Sequence, residues 1–328
     1  MDVWLLTADG ITQHPADDLP SLLARSDGFV WVDIPDPDDE SVQVLSEVFR
    51  FHYQAVHDCV ERNMVPKVHA YPDHVFVVLH TPEMGLRGHV HYVELDQFIA
   101  QRYLVTVHGP LNPVVQNAVA MRETNAVRRR IQEGRLHPAD GYELSYAIVS
   151  ALCRHQESFV ETQTRAVWDL ERRVTGDQLG NPEKFLDEMF RTRHGLVVVR
   201  TMAGLSREIY GRLAAIQRTC VPIEARPLLD DVVDQFSRVH AIADGQKEYL
   251  QGVIDFYRTR SDTKMTVAAE RLAVIAVITL PITALSSVYG MNIIVNDHTH
   301  VPQLIAVLVV MAVMSGLLLA WAKRQGWW

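Results

Sequence analysis

The sequence has few cysteines and lacks the common signatures of nucleotide-binding and hydrolytic enzymes. Three of its 328 residues are cysteines, Cys59, Cys153 and Cys220, and they lie far apart without a CxxC pair. This spacing predicts reduced thiols rather than a disulfide framework or a zinc site. The GxxxxGK, GxSxG and HExxH motifs do not occur, so an enzyme is the least favoured class of protein.

Charged residues are almost missing from the last 57 positions, although they are frequent in the first 271. Two segments of 25 residues each, 272–296 and 298–322, contain no Lys, Arg, Asp or Glu. A bilayer span needs about 20 apolar residues. We therefore predict two membrane spans, residues 272–291 and 301–322, joined by an outer loop, 292–300. A buried core helix is the alternative, but two such segments in succession disfavour it.

The outer loop has no Lys or Arg, and this absence sets the expected orientation. Four basic residues precede the first span closely and two follow the second, as is typical of cytoplasmic flanks. No basic region with an apolar core follows Met1, so no cleavable signal is expected. We expect a multi-pass protein of the cell membrane with both termini, including the tail 323–328, in the cytoplasm. The net charge of −9 disfavours nucleic acid as a partner and is compatible with cations.

The region before the spans changes its pattern along the chain. Alternating apolar runs at 29–34, 75–79, 90–99 and 103–107 are typical of strands, and 38–51 is typical of an amphipathic helix. Residues 1–135 are therefore predicted to form an α/β cytoplasmic domain with a small mixed sheet. Strand signals vanish after Pro138. Helical periodicity over 139–174 and 183–219 predicts a long helical hairpin within residues 136–222.

Glycine and proline are scarce between Leu228 and Val288, where they occur only as Gly245, Gly252 and Pro281. About 60 helical residues would extend roughly 90 Å. We predict a cytoplasmic stalk helix, residues 223–271, that continues into the first span. Pro281 would lie inside that span, where membrane helices tolerate proline.

One face of this long helix has the composition of a pore lining. From its outer end inwards, the stripe consists of Ser287, Thr283, Leu280, Ala276, Leu272, Ala269, Thr266, Asp262, Thr259 and Asp255. Acidic rings would concentrate dications, hydroxyls would bind their water shells, and an apolar constriction could gate by dewetting. A two-span subunit cannot enclose such a path alone, so a channel requires symmetric association. Periodicity leaves open a helix that only packs against a neighbour, with hydroxyls bonded to its own backbone.

At Tyr289-Gly290-Met291-Asn292, the sequence resembles the CorA family of magnesium and cobalt transport proteins, which has Gly-Met-Asn after the first of two C-terminal spans. Further similar stretches lie at 52–58, 66–68, 75–79, 103–108, 231–234, 255–257 and 323–328. The resemblance implies an α/β cytoplasmic domain followed by long α-helices and two C-terminal transmembrane helices, assembled as a funnel-shaped homopentamer. It also implies a channel that conducts hydrated Mg²⁺ into the cytoplasm.

The resemblance further implies roles for individual residues. Asn292 would present its amide in a ring at the outer mouth and hold Mg²⁺ through its bound water, which that ion releases reluctantly. Gly290 would let the helix ends approach one another, and Tyr289 would support the turn. Asp58 and Asp231 match positions that form an inter-subunit regulatory Mg²⁺ site. Mg²⁺ would thus be both the transported ion and a regulator that holds the pore closed.

Three positions depart from the family pattern. The acidic residue that commonly follows Gly-Met-Asn is represented only by Asp297, in a different register. His57 occupies the place of an acid beside the regulatory aspartate, and Ala269 is smaller than the usual residue of the apolar gate. We therefore expect three properties to differ from those of the family: cation capture by the loop, the strength of the regulatory site and the width of the gate.

Two histidine pairs keep an alternative open. His298-x-His300 and His89-x-His91 suit Zn²⁺, Co²⁺ or Ni²⁺ better than Mg²⁺. They would fit a zinc or cobalt/nickel transporter of the same superfamily, which could be proton-coupled, whereas Met291 disfavours the zinc branch. We favour the interpretation that both pairs are ordinary polar residues. A membrane-tethered adaptor or sensor is a second alternative, although an anchor would not need Asn292.

Overall fold

The computed structural model describes residues 1–110, 112–176, 180–216, 220–290 and 301–324. These residues belong to two compact units, Met1–Val253 and Ile254–Trp328. The strands are β1 Asp2–Thr7, β2 Gly10–His14, β3 Gly28–Ile34, β4 Lys67–Ala70, β5 Val75–Met84, β6 Val90–Ile99 and β7 Tyr103–Val107. The helices are α1 Leu19–Leu23, α2 Asp39–Gln43, α3 Tyr53–Val60, α4 Asn117–Ala120, α5 Arg122–Gln132, α6 Gly141–Thr175, α7 Pro182–Ala215, α8 Arg226–Gly290 and α9 Val301–Arg324.

The first unit is built on a seven-stranded sheet with the order β2-β1-β3-β7-β6-β5-β4. Strands β3 and β7 are parallel, whereas the other described neighbours are antiparallel. The predicted mixed sheet is confirmed, and its four predicted strands correspond to β3, β5, β6 and β7. The sheet is larger than predicted because β1, β2 and β4 join it. The helix predicted over 38–51 is shorter, comprising α2 and one π-helical segment, Val44–Val48.

Each face of the sheet has its own hydrophobic core. Side chains such as Trp31 and Val77 pack on one face with residues of α6 and α7. Val78 and Phe98 point to the opposite face, where Cys59 of α3 joins them. Successive strand residues alternate between the faces, so the near-continuous apolar runs of β3 and β5 are explained by burial on both sides.

The helical hairpin of α6 and α7 is joined to the sheet at the first residue of α6. Asp140 caps this helix by accepting a hydrogen bond from the Glu143 backbone nitrogen at 2.9 Å, as N-cap residues commonly do. A Cβ placed on Gly141 would lie 2.2 Å from the Ala100 carbonyl oxygen and 2.4 Å from that of Tyr103. Only glycine therefore allows α6 to begin this close to the turn between β6 and β7.

Helices α8 and α9 include the apolar C-terminal segments. Helix α8 has 65 residues and continues through Pro281, and α9 has 24 residues. Within the described residues, both contain a window long and apolar enough to cross a membrane. In the second unit, Val274 and Ala322 are buried, and Ser286 Oγ lies 4.0 Å from Met311 Sδ. The two predicted spans therefore correspond to a long helix that enters the second unit and a shorter one packed against it.

Candidate functional site

The predicted selectivity sequence begins at the last residues of α8. Tyr289 and Gly290 end this helix, whereas Met291 and Asn292 lie outside the described residues. The same is true of the rest of the outer loop, including Asp297, His298 and His300. The roles assigned to these side chains accordingly remain predictions.

All ten residues of the predicted pore stripe lie on α8, and nine of them are exposed. Leu272 and Leu280 are each 67% exposed. Less exposed positions occur at 274, 276–278, 281, 282 and 285. Of the stripe, only Ala276 belongs to this less exposed set. Helix α9 therefore leaves most of the stripe open to water, an ion path or a neighbouring copy.

The hydroxyl groups of the stripe are oriented by their own helix. Thr259, Thr266 and Thr283 each donate to the backbone carbonyl four residues earlier, at 2.8–3.0 Å. This is the backbone bonding that the packing alternative predicts. Because the hydroxyl hydrogen is used in this bond, each Oγ has only its lone pairs left for other partners. Because the waters around a cation point their hydrogens outwards, oxygens in this state are suitable acceptors for a hydrated ion.

Helix α3 places Asp58 at a partly buried position beside a lysine. Asp58 Oδ1 accepts from Lys67 Nζ at 3.0 Å, and its side chain is 19% exposed. Its neighbour His57 makes an i,i+4 pair with Glu61 at 3.7 Å. A cation that binds Asp58 would have to displace the Lys67 ammonium group or share the carboxylate with it. Sequence reasoning missed this competitor because the partner lies on the following strand.

Two buried carboxyl groups lie beneath this part of α3, on adjacent same-face positions of β6. Glu94 accepts from the backbone and side-chain nitrogens of Asn63 at 2.8 and 2.7 Å. Asp96 is fully buried, and neither of its oxygens has a partner with ordinary hydrogen-bond geometry. Burial, followed by the charge of Glu94, raises the pKa of Asp96 well above its usual range. The buried site of Asp96 therefore favours its neutral form.

The polar surroundings of Asp231 are different. Its Oδ2 accepts from the Tyr146 hydroxyl at 2.7 Å and from Gln235 Nε2 at 2.6 Å. These two bonds, with that of Tyr146 the stronger influence, lower the pKa of Asp231. In the described part of the chain, Oδ1 of Asp231 has no hydrogen-bond donor, and no hydrogen bond links Asp231 to Asp58. One oxygen of an ionised carboxylate thus remains available to a cation.

Among the described residues, the histidine pair of the first unit is not part of a three-ligand metal cluster. The rings of His89 and His91 are 4.8 Å apart, and His91 Nδ1 lies 3.3 Å from the Asn112 side-chain nitrogen. Among the residues that the structure describes, no group of three or more His, Cys, Asp or Glu side chains is arranged to hold a metal ion. This pair therefore offers at most two ligands.

A second buried ionic group was not foreseen from the sequence. His108 Nε2 donates to Asp33 Oδ1 at 2.8 Å, and His108 Nδ1 donates to the Ala120 carbonyl at 2.9 Å. Because both nitrogens face acceptors, the ring is held as an imidazolium. Burial opposes ionisation of both groups, but their attraction raises the pKa of His108 and lowers that of Asp33. An aspartate inside the apolar run of β3 was the only sequence signal.

Comparisons with known proteins cover most of the chain. Residues 26–324 match the model of the family described as CorA-like Mg²⁺ transporter protein. YfjQ of Bacillus subtilis, named as a candidate metal ion transporter, is 24% identical over 304 residues, covering 90% of this chain and 89% of YfjQ. The cobalt/magnesium transport protein CorA of Thermotoga maritima is 23% identical over 299 residues, covering 87% and 79% of the two chains.

Solved structures share the fold. The CorA magnesium transporter of Methanocaldococcus jannaschii superposes with a TM-score of 0.80 at 17% identity, covering 100% of this chain and 99% of that one. The cytoplasmic domain of ZntB from Vibrio parahaemolyticus has a TM-score of 0.61 at 12% identity, covering 80% of this chain and 98% of that one. The similarity in sequence and fold extends from the sheet through the apolar C-terminal helices. The chain belongs to the CorA-like Mg²⁺ transporter family.

Proposed function

We propose that the chain forms a homopentameric channel that conducts hydrated Mg²⁺ into the cytoplasm, driven by an inside-negative membrane potential. Co²⁺ and Ni²⁺ are proposed as further permeant ions. The observation that carries this proposal is the family match over residues 26–324, together with a Gly-Met-Asn sequence that begins at the last residue of α8. The protein would lie in the cell membrane with both termini in the cytoplasm.

The proposed ion path follows the open face of α8. Asn292 side chains from the assembled subunits would select the hydrated ion at the outer mouth. Thr283 would accept hydrogen bonds from its water shell, and Leu272 and Leu280 would form the constriction. Lower down, Asp255 and Asp262 would concentrate cations electrostatically. The exposure of Thr283, Leu272, Leu280, Asp255 and Asp262 supports the α8 part of this assignment.

The proposed regulation uses cytoplasmic Mg²⁺ between subunits. Asp58 of one subunit and Asp231 of the next would share a bound ion and hold the pore closed. Loss of the ion would leave two carboxylates that repel each other, which favours separation of the subunits. The free Oδ1 of Asp231 supports this role. Lys67 would weaken the site because its ammonium group already neutralises Asp58.

The decisive experiment is ion flux into proteoliposomes under an inside-negative potential. Wild-type protein should admit Mg²⁺ without a proton gradient, and Asn292→Ala should reduce that flux at least about tenfold, which corresponds to about 1.4 kcal/mol. Asn296→Ala is the matched control, because it removes the other asparagine of the outer loop. Equal flux in the Asn292 variant and wild type would refute the selectivity role. No flux of any dication would favour the membrane-tethered adaptor or sensor.

A zinc or cobalt/nickel transporter is the second candidate. It is favoured only by the ZntB-like fold of the cytoplasmic domain and by the imidazoles of His298 and His300. In the same vesicles this candidate predicts Zn²⁺ or Co²⁺ flux that requires a proton gradient. Replacing both histidines by Gln should then reduce transport of those ions and leave Mg²⁺ flux unchanged.

A further inference from the structure

The carboxylate of Asp231 is held through one of its two oxygens. Oδ2 accepts two hydrogen bonds, from the Tyr146 hydroxyl at 2.7 Å and from Gln235 Nε2 at 2.6 Å. A carboxylate oxygen has two lone-pair sites, so these donors occupy Oδ2 fully. Oδ1 has no hydrogen-bond donor among the described residues, and the Asp231 side chain is partly exposed. The two oxygens are therefore not equivalent, and only Oδ1 is available to a metal ion.

Two helices keep the donors in place. Tyr146 comes from α6, whereas Asp231 and Gln235 lie about one helical turn apart on α8. The second hydrogen of the Gln235 amide is used as well, because Nε2 also donates to Ser150 Oγ of α6 at 3.1 Å. Gln235 and Ser150 are both buried. Rotation of the amide or of the carboxylate would break two hydrogen bonds at once, so Oδ2 stays occupied.

We propose that Tyr146 and Gln235 are positioning residues that make Asp231 a one-oxygen ligand and thereby favour Mg²⁺ over Ca²⁺ at the regulatory site. Ca²⁺ accepts both oxygens of one carboxylate, whereas Mg²⁺ keeps an octahedral shell with several waters. The two oxygens of a carboxylate lie too close together to fill two octahedral positions around Mg²⁺. A ligand restricted to Oδ1 therefore suits Mg²⁺ and withholds the second bond that Ca²⁺ can use. This selectivity rests on the proposed regulatory role of Asp231.

The test is isothermal titration calorimetry of the purified full-length protein in detergent, with Mg²⁺ and with Ca²⁺. Binding that is lost in Asp231→Asn belongs to this site, and in wild type it should be tighter for Mg²⁺ than for Ca²⁺. Tyr146→Phe frees one lone-pair site of Oδ2 and should lower the ratio of the Mg²⁺ affinity to the Ca²⁺ affinity at least about threefold. The double variant Tyr146→Phe/Gln235→Leu should lower this ratio further.

Tyr249→Phe is the matched control. The Tyr249 hydroxyl of α8 is hydrogen-bonded to the Glu171 carboxylate of α6, so this variant removes the same kind of contact between the same helices without touching Asp231. It should keep the wild-type ratio. An equal change in Tyr249→Phe, or an unchanged ratio in Tyr146→Phe, would overturn the selectivity role. Size-exclusion chromatography and near-UV circular dichroism check that each variant is folded and assembled.

The outcomes separate the selectivity role from the regulatory role. If Asp231→Asn binds both ions as wild type does, Asp231 is not a ligand and both roles are wrong. If that variant loses binding but Tyr146→Phe keeps the wild-type ratio, Asp231 is a ligand and only the selectivity role is wrong. Tighter binding of Ca²⁺ than of Mg²⁺ at this site in wild type would also overturn the selectivity role.

Discussion

The sheet and the long helices of the molecule satisfy their polar side chains in different ways. In the first unit, Asp33 and His108 are 75 positions apart in sequence and meet only because β3 pairs with β7. In the long helices, side chains such as Thr192 of α7 and Thr266 and Thr283 of α8 donate to their own helix, four residues away. Of these, Thr283 lies in the predicted first span, where lipid would offer no other partner. A domain with a packed sheet can instead depend on distant partners.

The largest effect is expected from His108→Asn. Removing the imidazolium leaves the Asp33 carboxylate buried without its counter-charge, and such losses cost about 3–5 kcal/mol. Urea unfolding followed by tryptophan fluorescence measures this, since the indole of Trp31 is linked through Thr106 to Asp33. The double variant Asp33→Asn/His108→Asn should lose less stability than His108→Asn alone. A larger loss in the double variant would contradict the ionic interpretation.

Asp96→Asn tests a buried carboxyl group whose neutral form is favoured by burial. Because the pKa of Asp96 is raised, the folded protein keeps a proton that the unfolded chain releases once the pH exceeds 3.8, the ordinary pKa of this side chain. Wild-type stability should therefore fall as the pH rises from about 4 towards the folded pKa. Asp96→Asn cannot ionise, so its stability should decline less over that interval. Denaturant midpoints between pH 4 and 9 measure the slopes.

The control for that variant is Asp36→Asn, which changes an exposed carboxylate in a loop. It should keep the wild-type slope. If Asp96→Asn also keeps the wild-type slope, the carboxyl group of Asp96 is ionised in the folded protein and the assignment of a neutral acid is wrong.

Lys67→Gln tests the partly buried ion pair between Lys67 and Asp58. It frees the Asp58 carboxylate from the 3.0 Å contact with the ammonium group. If Mg²⁺ regulates at Asp58, the variant should be inhibited at several-fold lower Mg²⁺ concentration, an effect of about 1 kcal/mol. The measurement is the dependence of Co²⁺ flux on Mg²⁺ inside the vesicles. Lys184→Gln, on the exposed surface of α7, is the control, and an unchanged inhibition curve for Lys67→Gln would count against the site.

The smallest effect is expected from Thr283→Val. The backbone of α8 keeps its own hydrogen bonds, so the helix should remain intact and only an acceptor for the water shell is lost. We expect Mg²⁺ flux to fall about two- to fivefold, which is less than 1 kcal/mol. Thr279→Val is a close match, because Thr279 also donates to its own helix at 2.9 Å but lies outside the stripe. Equal flux in both variants would indicate that the stripe faces a packed neighbour.

The same contrast explains what could be predicted from the sequence. Local patterns predicted α6, α7 and α8 because helical periodicity depends on nearby residues. The missed strands β1, β2 and β4 are edge or near-edge elements, and pairing across the sheet cannot be read from neighbouring residues. The partner of Asp58 was missed for the same reason. Asn292 was identified only through a family resemblance, and it lies outside the described residues.

The contact at Gly141 makes α6 sensitive to very small changes at its first residue. This helix has 35 residues, which corresponds to a rod of about 52 Å. A tilt of one degree at its fixed end would move the opposite end by about 0.9 Å, at the rise per residue of an α-helix. A single added methyl group at Gly141 would therefore push the start of α6 away from the sheet and tilt the whole helix. The last turn of α6, which ends at Thr175, would show the largest displacement.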